Sequence, residues 1–224
     1  MSTKCKCKPL ASVGKKQIMA ITGLLLCGFL LTHLLGNLTL LIGPDAFNKY
    51  SHALTSNPLI YGAEVGLLLL FLSHIAMAFK VVIENKKARP VPYYQYKQSG
   101  RGGNFASNTM AYSGLIALVF LVFHILGLKY GVYYTTIIDN VEMRDIYRTT
   151  VEYFKDPIHV FAYIMAMCAL GVHTSHGFWS AFQTLGLNHP KYMSKIKCAS
   201  SLYGFLIAIG FSLFPVFCFF KGGY

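Results

Sequence analysis

Five long apolar segments, separated by polar ones, constrain the fold of this 224-residue chain more than any other feature of its sequence. Each is long enough for the roughly 20 helical residues that cross the hydrocarbon core of a bilayer, and a segment in lipid must satisfy its backbone polar groups internally, which favours helices. Only 12% of the residues are charged, about half the share found in soluble domains. The sequence therefore predicts an all-α integral membrane protein, organised as one domain over residues 1–224. Its five transmembrane helices are expected at about 17–42, 61–83, 110–128, 158–183 and 199–220.

The basic residues are divided unequally between the two sets of loops that alternate along the chain. One set holds 14 of the 20 Lys and Arg residues and consists of residues 1–16, 80–109 and 184–200. Short cytoplasmic loops carry the excess of positive charge in membrane proteins, so the N-terminus is predicted to be cytoplasmic and the C-terminus outside. Because these charges lie in loops rather than along one face of a soluble domain, the net charge of +12 does not indicate nucleic-acid binding.

The two longest loops are predicted to differ in structure. Residues 84–109 form a basic, aromatic, Gly- and Pro-rich cytoplasmic loop, which is either an ordered docking segment or a solvated connector. Residues 129–157 form an outer loop with apolar side chains at helical spacing, namely Val141, Ile146, Tyr147, Val151 and Phe154. That spacing predicts a short amphipathic helix on the outer surface.

Five of the eight histidines fall well inside the predicted spans, and a sixth lies at the edge of one. Polar side chains inside a membrane are costly and tend to be functional. Because the direction of the spans alternates, His33 and His124 are expected in the outer half of the membrane, and His74 and His173 in the inner half. Each level thus offers two imidazoles from different helices, as ligation of one haem iron by two histidines requires. His176, one helical turn beyond His173, is predicted to face a haem propionate or to support the ligand.

Two glycines repeat the spacing of the outer histidines. Gly23 precedes His33 by ten residues, and Gly114 precedes His124 by ten. Ten residues rise about 15 Å along a helix, so both glycines are expected at the level of the inner pair. They either leave room there for a flat macrocycle or serve ordinary helix packing by small residues.

The same spacing on the other two spans leads to Glu64, ten residues before His74, and to Tyr163, ten residues before His173. Both side chains are expected near the outer haem. Our functional hypothesis is that Glu64 accepts a proton when a quinol is oxidised nearby. The alternative is an interfacial carboxylate near the start of a helix.

Four short motifs carry a resemblance to a known family. They are Thr22-Gly23 with Thr32-His33, Ser73-His74, Phe123-His124, and the eight residues from His173 to Ser180, which continue into Leu185-Gly186. With these motifs the chain resembles, over nearly its whole length, the dihaem cytochrome b membrane anchors of the succinate:quinone oxidoreductases. These are the succinate dehydrogenases and quinol:fumarate reductases, here of the type with a single large anchor subunit. In that family the first span is paired with the third and the second with the fourth, and the axial haem ligands fall at the positions of His33, His74, His124 and His173.

The resemblance implies a function in electron transfer. The chain would carry two haem b groups and pass electrons between an iron–sulfur subunit and membrane quinone, commonly menaquinone, near the outer haem. A flavoprotein with FAD and the iron–sulfur subunit would dock on the cytoplasmic side, and a dimeric complex is one arrangement that the resemblance allows. The chain would then be the quinone-reactive part of an oxidoreductase, without dicarboxylate chemistry of its own, and a multi-pass protein of the bacterial cytoplasmic membrane. It departs from some members in having Leu170-Gly171-Val172, rather than a Glu, just before the fourth ligand.

Two other interpretations stay open at this point. The chain could be the cytochrome b subunit of another quinone-linked complex, such as a hydrogenase or a formate dehydrogenase. It could also be a small transporter with histidines inside the membrane. Co-purification with a succinate-oxidising flavoprotein, and a visible spectrum with a b-type α-band, would separate the first interpretation from these two.

Overall fold

The computed structural model describes residues 12–88 and 105–221. In chain order its elements are α1 (Ser12–Asn37), α2 (Thr39–Ile42), α3 (Pro44–Thr55), α4 (Leu59–Lys87), α5 (Phe105–His124), a π-helical turn (Ile125–Lys129), β1 (Thr135–Ile138), β2 (Val141–Arg144), α6 (Ile146–Tyr153), α7 (Pro157–Thr184) and α8 (Pro190–Lys221). Most of the loop predicted at 84–109 falls on residues 89–104, which lie outside the described residues, so its docking role stays a prediction.

The described ranges contain five helical stretches that are long and apolar enough to cross a membrane: Val13–Ile42, Leu59–Lys87, Thr109–Lys129, Pro157–Thr184 and Pro190–Lys221. The predicted fold of a helical membrane protein with five spans is confirmed. Several helices extend beyond the apolar limits read from the sequence; α8, for example, begins at Pro190 although its apolar part begins near residue 199. The apolar limit marks where lipid ends, whereas a helix continues for as long as its backbone hydrogen bonds do.

The first four spans form the bundle that surrounds the histidines. α1 packs against both α4 and α7, and α5 packs against α7. This order places α1 diagonally opposite α5, and α4 diagonally opposite α7. α8 lies outside the bundle and packs mainly on α7, where a Cβ atom on Gly171 would lie 2.7 Å from the carbonyl oxygen of Gly204. Small residues at such close contacts are typical of helix pairs in membranes.

A compact cap, built from α3, the two strands and α6, covers the end of the bundle that the charge distribution assigns to the outside (the outer end below). Asn48 of α3 is fully buried at its centre. Its amide nitrogen donates to Oδ1 of Asp145, and its amide oxygen accepts from the backbone N–H of Tyr147, each over 2.9 Å. Asp145 also caps α6 by accepting from the backbone N–H of Arg148. From the last turn of α8, Lys221 donates a hydrogen bond to the hydroxyl of Tyr147 and so ties the fifth span to the cap.

The cap contains both the expected helix and a hairpin that the sequence pattern did not predict. α6 covers Ile146–Tyr153, but Val141, assigned to the same helix, lies in β2. β1 and β2 pair as an antiparallel hairpin whose turn residues, Asp139 and Asn140, have positive φ angles. Asp and Asn tolerate this left-handed conformation, which a tight two-residue hairpin turn requires. The helix is buried in the cap rather than laid on the surface, since Val151 is only 1% exposed.

Candidate cofactor site

Inside the bundle the structure brings together His33 of α1 and His124, the last residue of α5. Their ring centroids are 6.0 Å apart and their planes are nearly perpendicular, at 88°. His33 stacks on Phe29 of its own helix and contacts Phe211 of α8. His124 packs against Phe120, one turn earlier on α5. The two imidazoles thus form a pair in aromatic surroundings.

The structure also brings together His74 of α4 and His173 of α7. Their ring centroids are 6.5 Å apart, and the angle between their planes is 79°. α4 and α7 are diagonally opposed, as are α1 and α5, so both pairs bridge the axis of the bundle. The depth of each histidine along its span predicted these same two pairs. That each pair binds a metal stays a prediction.

The spacing within each pair fits one haem iron. With metal–nitrogen bonds of about 2 Å and roughly 1 Å from nitrogen to ring centre, two imidazoles on opposite sides of one iron have centroids about 6 Å apart. The observed separations are 6.0 and 6.5 Å. A neutral imidazole nitrogen is also a donor that haem iron commonly takes from a protein. The residues present therefore suit two bis-histidine haem sites, one at each level.

A neighbouring span holds the ring of His74 closely. Its Nδ1 atom lies 3.2 Å from the hydroxyl oxygen of Thr22 and 3.2 Å from the backbone carbonyl oxygen of Met19, both on α1. A Cβ atom on the adjacent Gly23 would lie 3.1 Å from Cε1 of His74, which is tighter than most real contacts of this kind. The missing side chain of Gly23 thus makes room for the imidazole itself.

The other half of the bundle repeats this arrangement around His173. Its Nδ1 atom lies 3.2 Å from the hydroxyl oxygen of Ser113 on α5. A Cβ atom on Gly114 would lie 3.1 Å from Cε1 of His173, the same distance as in the first half. Gly23 and Gly114 therefore lie at the inner level, each against the ring of a candidate ligand. Room for a macrocycle beside them stays a prediction.

The outer pair is held by different groups. Nδ1 of His124 lies 3.3 Å from the hydroxyl oxygen of Tyr163 on α7, and Tyr163 packs edge-on against Tyr153 of the cap, with ring centroids 5.8 Å apart. Burial raises the pKa of Tyr153. The Tyr153 ring lies where a side chain on Gly127 would collide with it, since a Cβ atom there would be 2.5 Å away. The ring nitrogens of His33 have no hydrogen-bond partner within the described part of the chain.

Glu64 lies at the outer end of α4 and forms an ion pair with Lys129, the last residue of the π-helical turn. The distance from Oε1 to Nζ is 2.6 Å, and each side chain is nearly half exposed. Arg144 of β2 fixes this turn by donating to the backbone carbonyls of Leu128 and Lys129, over 2.9 and 2.7 Å. Glu64 is thus accessible at the outer end, a position compatible with either of its two predicted roles.

His176 lies one turn beyond His173 and packs edge-on against Trp179, with ring centroids 5.0 Å apart. The ammonium group of Lys197 on α8 lies 4.8 Å from the centre of the same indole ring. Nδ1 of His176 is buried without a hydrogen-bond partner among the described residues. A buried ring nitrogen left unpaired is destabilising, and a haem propionate is a group that would satisfy it.

Comparison with curated proteins gives a cytochrome as a relative of this chain. The succinate dehydrogenase cytochrome b558 subunit of Bacillus subtilis (strain 168) is 23% identical over 205 residues, which cover 91% of this chain and 95% of the relative. The resemblance to the cytochrome b anchors of succinate:quinone oxidoreductases is confirmed. The predicted location, as a multi-pass protein of the bacterial cytoplasmic membrane, is confirmed by this relative and by the five apolar helices. No protein-family model matches the chain, and no solved structure gives a significant match.

The contacts around the inner histidines were not predicted, although the sequence contains a pattern that could have revealed them. Residues 19–23 (Met-Ala-Ile-Thr-Gly) and 110–114 (Met-Ala-Tyr-Ser-Gly) are alike, and each ends ten residues before a histidine of the outer pair. Both pentapeptides place a hydroxyl and a glycine against an inner histidine. No pattern in the sequence indicates the ion pair between Glu64 and Lys129, because this contact depends on how α4 and α5 are brought together.

Proposed function

We propose that this chain is the cytochrome b anchor of a succinate dehydrogenase or fumarate reductase. It passes electrons between an iron–sulfur subunit and membrane quinone, with menaquinone as the expected quinone. The observation that carries the proposal is the presence of two histidine pairs, with ring centroids 6.0 and 6.5 Å apart, across the axis of one membrane bundle. The name of the relative favours this function over that of a cytochrome b subunit of a hydrogenase or a formate dehydrogenase.

Two haem b groups supply reversible one-electron transfer when bound. In this proposal His33 and His124 would hold one of them at the outer level, and His74 and His173 would hold the other at the inner level. Helix rise separates the two levels by roughly 15 Å. The apolar walls of the bundle exclude water from both levels, and the groups that contact Nδ1 of His74, His173 and His124 would tune how strongly each imidazole donates to iron.

Glu64 has the role of proton acceptor at the outer end. Oxidation of a quinol releases two protons and two electrons. The electrons would go to the haem groups, and the Glu64 carboxylate takes up the protons one after the other, releasing the first before it accepts the second. Lys129 holds the carboxylate in place through the ion pair of 2.6 Å. Because both side chains are nearly half exposed, the proton can pass on to the outer solution.

In this proposal the partner subunits dock at the inner end of the helix bundle. His176, which packs against Trp179, would bind a propionate of the inner haem through its Nδ1 atom, which has no hydrogen-bond partner among the described residues. The basic loops on the same side would be cytoplasmic, and the iron–sulfur subunit and the flavoprotein with its FAD would dock there. Dicarboxylate chemistry belongs to the flavoprotein, so this chain contributes electron transfer and the quinone site.

Purification of the tagged chain from its native membrane tests the proposal. A succinate-oxidising flavoprotein should co-purify, and the reduced-minus-oxidised spectrum should show a b-type α-band with two haems per chain. The variants His33→Ala and His74→Ala should each lose one haem, the first from the outer level and the second from the inner level. A chain without the α-band, or histidine variants that keep both haems, would contradict the proposal.

A further inference from the structure

We propose that Thr22 and Ser113 are positioning residues that fix the tautomer and the orientation of the two inner imidazoles. Each hydroxyl acts from one span on a histidine of the neighbouring span, Thr22 on His74 and Ser113 on His173. The inference rests on the proposed haem-binding function, and it adds to it the groups that orient the inner ligands.

The contacts of His74 determine which ring nitrogen carries the proton. Nδ1 lies 3.2 Å from the backbone carbonyl oxygen of Met19, and a carbonyl oxygen can only accept. Nδ1 is therefore the protonated nitrogen. The hydroxyl of Thr22 donates to the backbone carbonyl of Ile18 over 2.8 Å, which leaves its oxygen free to accept from the same Nδ1–H. The unprotonated Nε2 atom, the one that can bind iron, is then fixed as well.

The contact between His173 and Ser113 leads to the same assignment. The Nδ1 atom of His173 lies 3.2 Å from the hydroxyl oxygen of Ser113. The Ser113 hydroxyl itself donates to the carbonyl of Met110 over 3.2 Å, so its oxygen is available to accept. Both hydroxyl residues are buried, Thr22 at 7% and Ser113 at 4% exposure. Water therefore does not easily replace either hydroxyl.

A glycine follows each of the two hydroxyl residues and completes the contact with the imidazole. Because Gly23 and Gly114 have no side chain, the two imidazoles can approach the helices that carry the hydroxyls, and the distances agree to 0.1 Å between the two halves: 3.1 Å to Cε1 and 3.6 Å to Nδ1 in both. Two separate parts of the chain thus make the same contact with His74 and His173, the two candidate ligands of the inner level. At the outer level His124 has Tyr163 instead, so the effect of the two hydroxyls is specific to the inner haem.

The test uses the complete complex with the variants Thr22→Val, Ser113→Ala and both together. A hydrogen bond from Nδ1–H makes the imidazole a stronger donor to ferric iron, so its loss should raise the midpoint potential of the inner haem and leave the outer one unchanged. The electron paramagnetic resonance signal of the inner ferric haem should shift, because the ring orientation changes. Inner-haem affinity should fall about 10- to 100-fold in the double variant, whereas Thr22→Ser should restore the parent values.

Thr174→Val is the matched control. Thr174 is a buried hydroxyl residue at 5% exposure whose side chain bonds to the backbone of its own helix, with Leu170 as the closest acceptor at 2.9 Å. This variant should keep the parent potential and signal. The inference is overturned if both single variants keep the parent inner-haem potential and signal, or if Thr174→Val shifts them equally. Retention of both haems in His74→Ala would instead overturn the proposed function, so the two failures are distinguishable.

Discussion

The hydroxyl oxygen of Tyr163 lies 3.3 Å from Nδ1 of His124 and links the outer histidine pair to the cap. Tyr163 packs edge-on against Tyr153 with ring centroids 5.8 Å apart, and the ring of Tyr153 stacks on that of His159 with centroids 4.0 Å apart. Tyr163 belongs to α7, the helix that carries His173 ten residues later. One helix therefore provides a candidate ligand at the inner level and a supporting contact at the outer level.

Replacing Tyr163 by Phe should raise the midpoint potential of the outer haem alone. The variant keeps the ring but removes the acceptor for Nδ1–H of His124, and a net hydrogen-bond free energy of about 1 kcal/mol corresponds to a shift of up to about 40 mV. Redox titration followed at the α-band measures both haems. Tyr203→Phe is the control, because that hydroxyl donates to the backbone carbonyl of Cys27 over 2.7 Å. A shift in both haems would argue against a local role for Tyr163.

Replacing Glu64 by Gln should lower quinol turnover by about 100-fold or more, because the amide cannot take up a proton. The haem spectrum should stay unchanged, since Glu64 contacts neither histidine pair. Glu84→Gln is a matched control: Glu84 also lies on α4 and is also paired with a lysine, Lys15. Turnover is measured with a menaquinol analogue in the purified complex. Equal activity in the two variants would exclude Glu64 as the proton acceptor.

Replacing Gly23 or Gly114 by Ala should destabilise the inner haem site. The new Cβ atom would lie 3.1 Å from Cε1 of His74 or His173, and overpacking of this kind costs about 1–3 kcal/mol. Haem content and the inner-haem spectrum report the effect. Gly28→Ala on α1 provides the comparison, because a Cβ atom there has no neighbour within 4 Å. If Gly28→Ala loses as much inner haem as Gly23→Ala, the loss reflects helix stability rather than contact with the ligand.

Replacing Asn48 by Ala should weaken the cap. The change removes both bonds of a fully buried amide and leaves Oδ1 of Asp145 and the backbone N–H of Tyr147 without this partner, at a cost of about 1–3 kcal/mol. The thermal unfolding midpoint of the protein in detergent should fall by several degrees. Asn57→Ala, at an exposed position where the side chain caps Leu59, should change it much less. A midpoint equal to that of the parent would show that the cap does not depend on Asn48.

The parts of the fold that follow from distances along one chain could be predicted from the sequence. Apolar length defines the spans, and helix rise gives the depths of His33, His74, His124 and His173. The hairpin could not be predicted in this way, because apolar residues at helical spacing, including Val141, concealed the turn at Asp139 and Asn140. At that turn the tolerance of Asp139 and Asn140 for positive φ angles determines the structure, and the helical spacing of the apolar residues does not.

Contacts that depend on the rotation of one helix against another were also beyond the sequence pattern. Thr22 and His74 are 52 residues apart, and Glu64 and Lys129 are 65 apart. Depth alone placed Gly23 at the correct level but could not show that its neighbour is an imidazole. The similarity of residues 19–23 and 110–114 is visible in the sequence, yet its meaning depends on both segments facing equivalent histidines.

The bond between Lys221 and Tyr147 also has a consequence for the order of assembly during synthesis. A chain is made from its N-terminus, and segments fold as they emerge. Asn48 and Asp145 can meet once the third span has been inserted, but Tyr147 has to wait for the end of α8 before Lys221 reaches it. The centre of the cap can therefore form before α8 is made, and α8 is joined to it only when Lys221 has been synthesised.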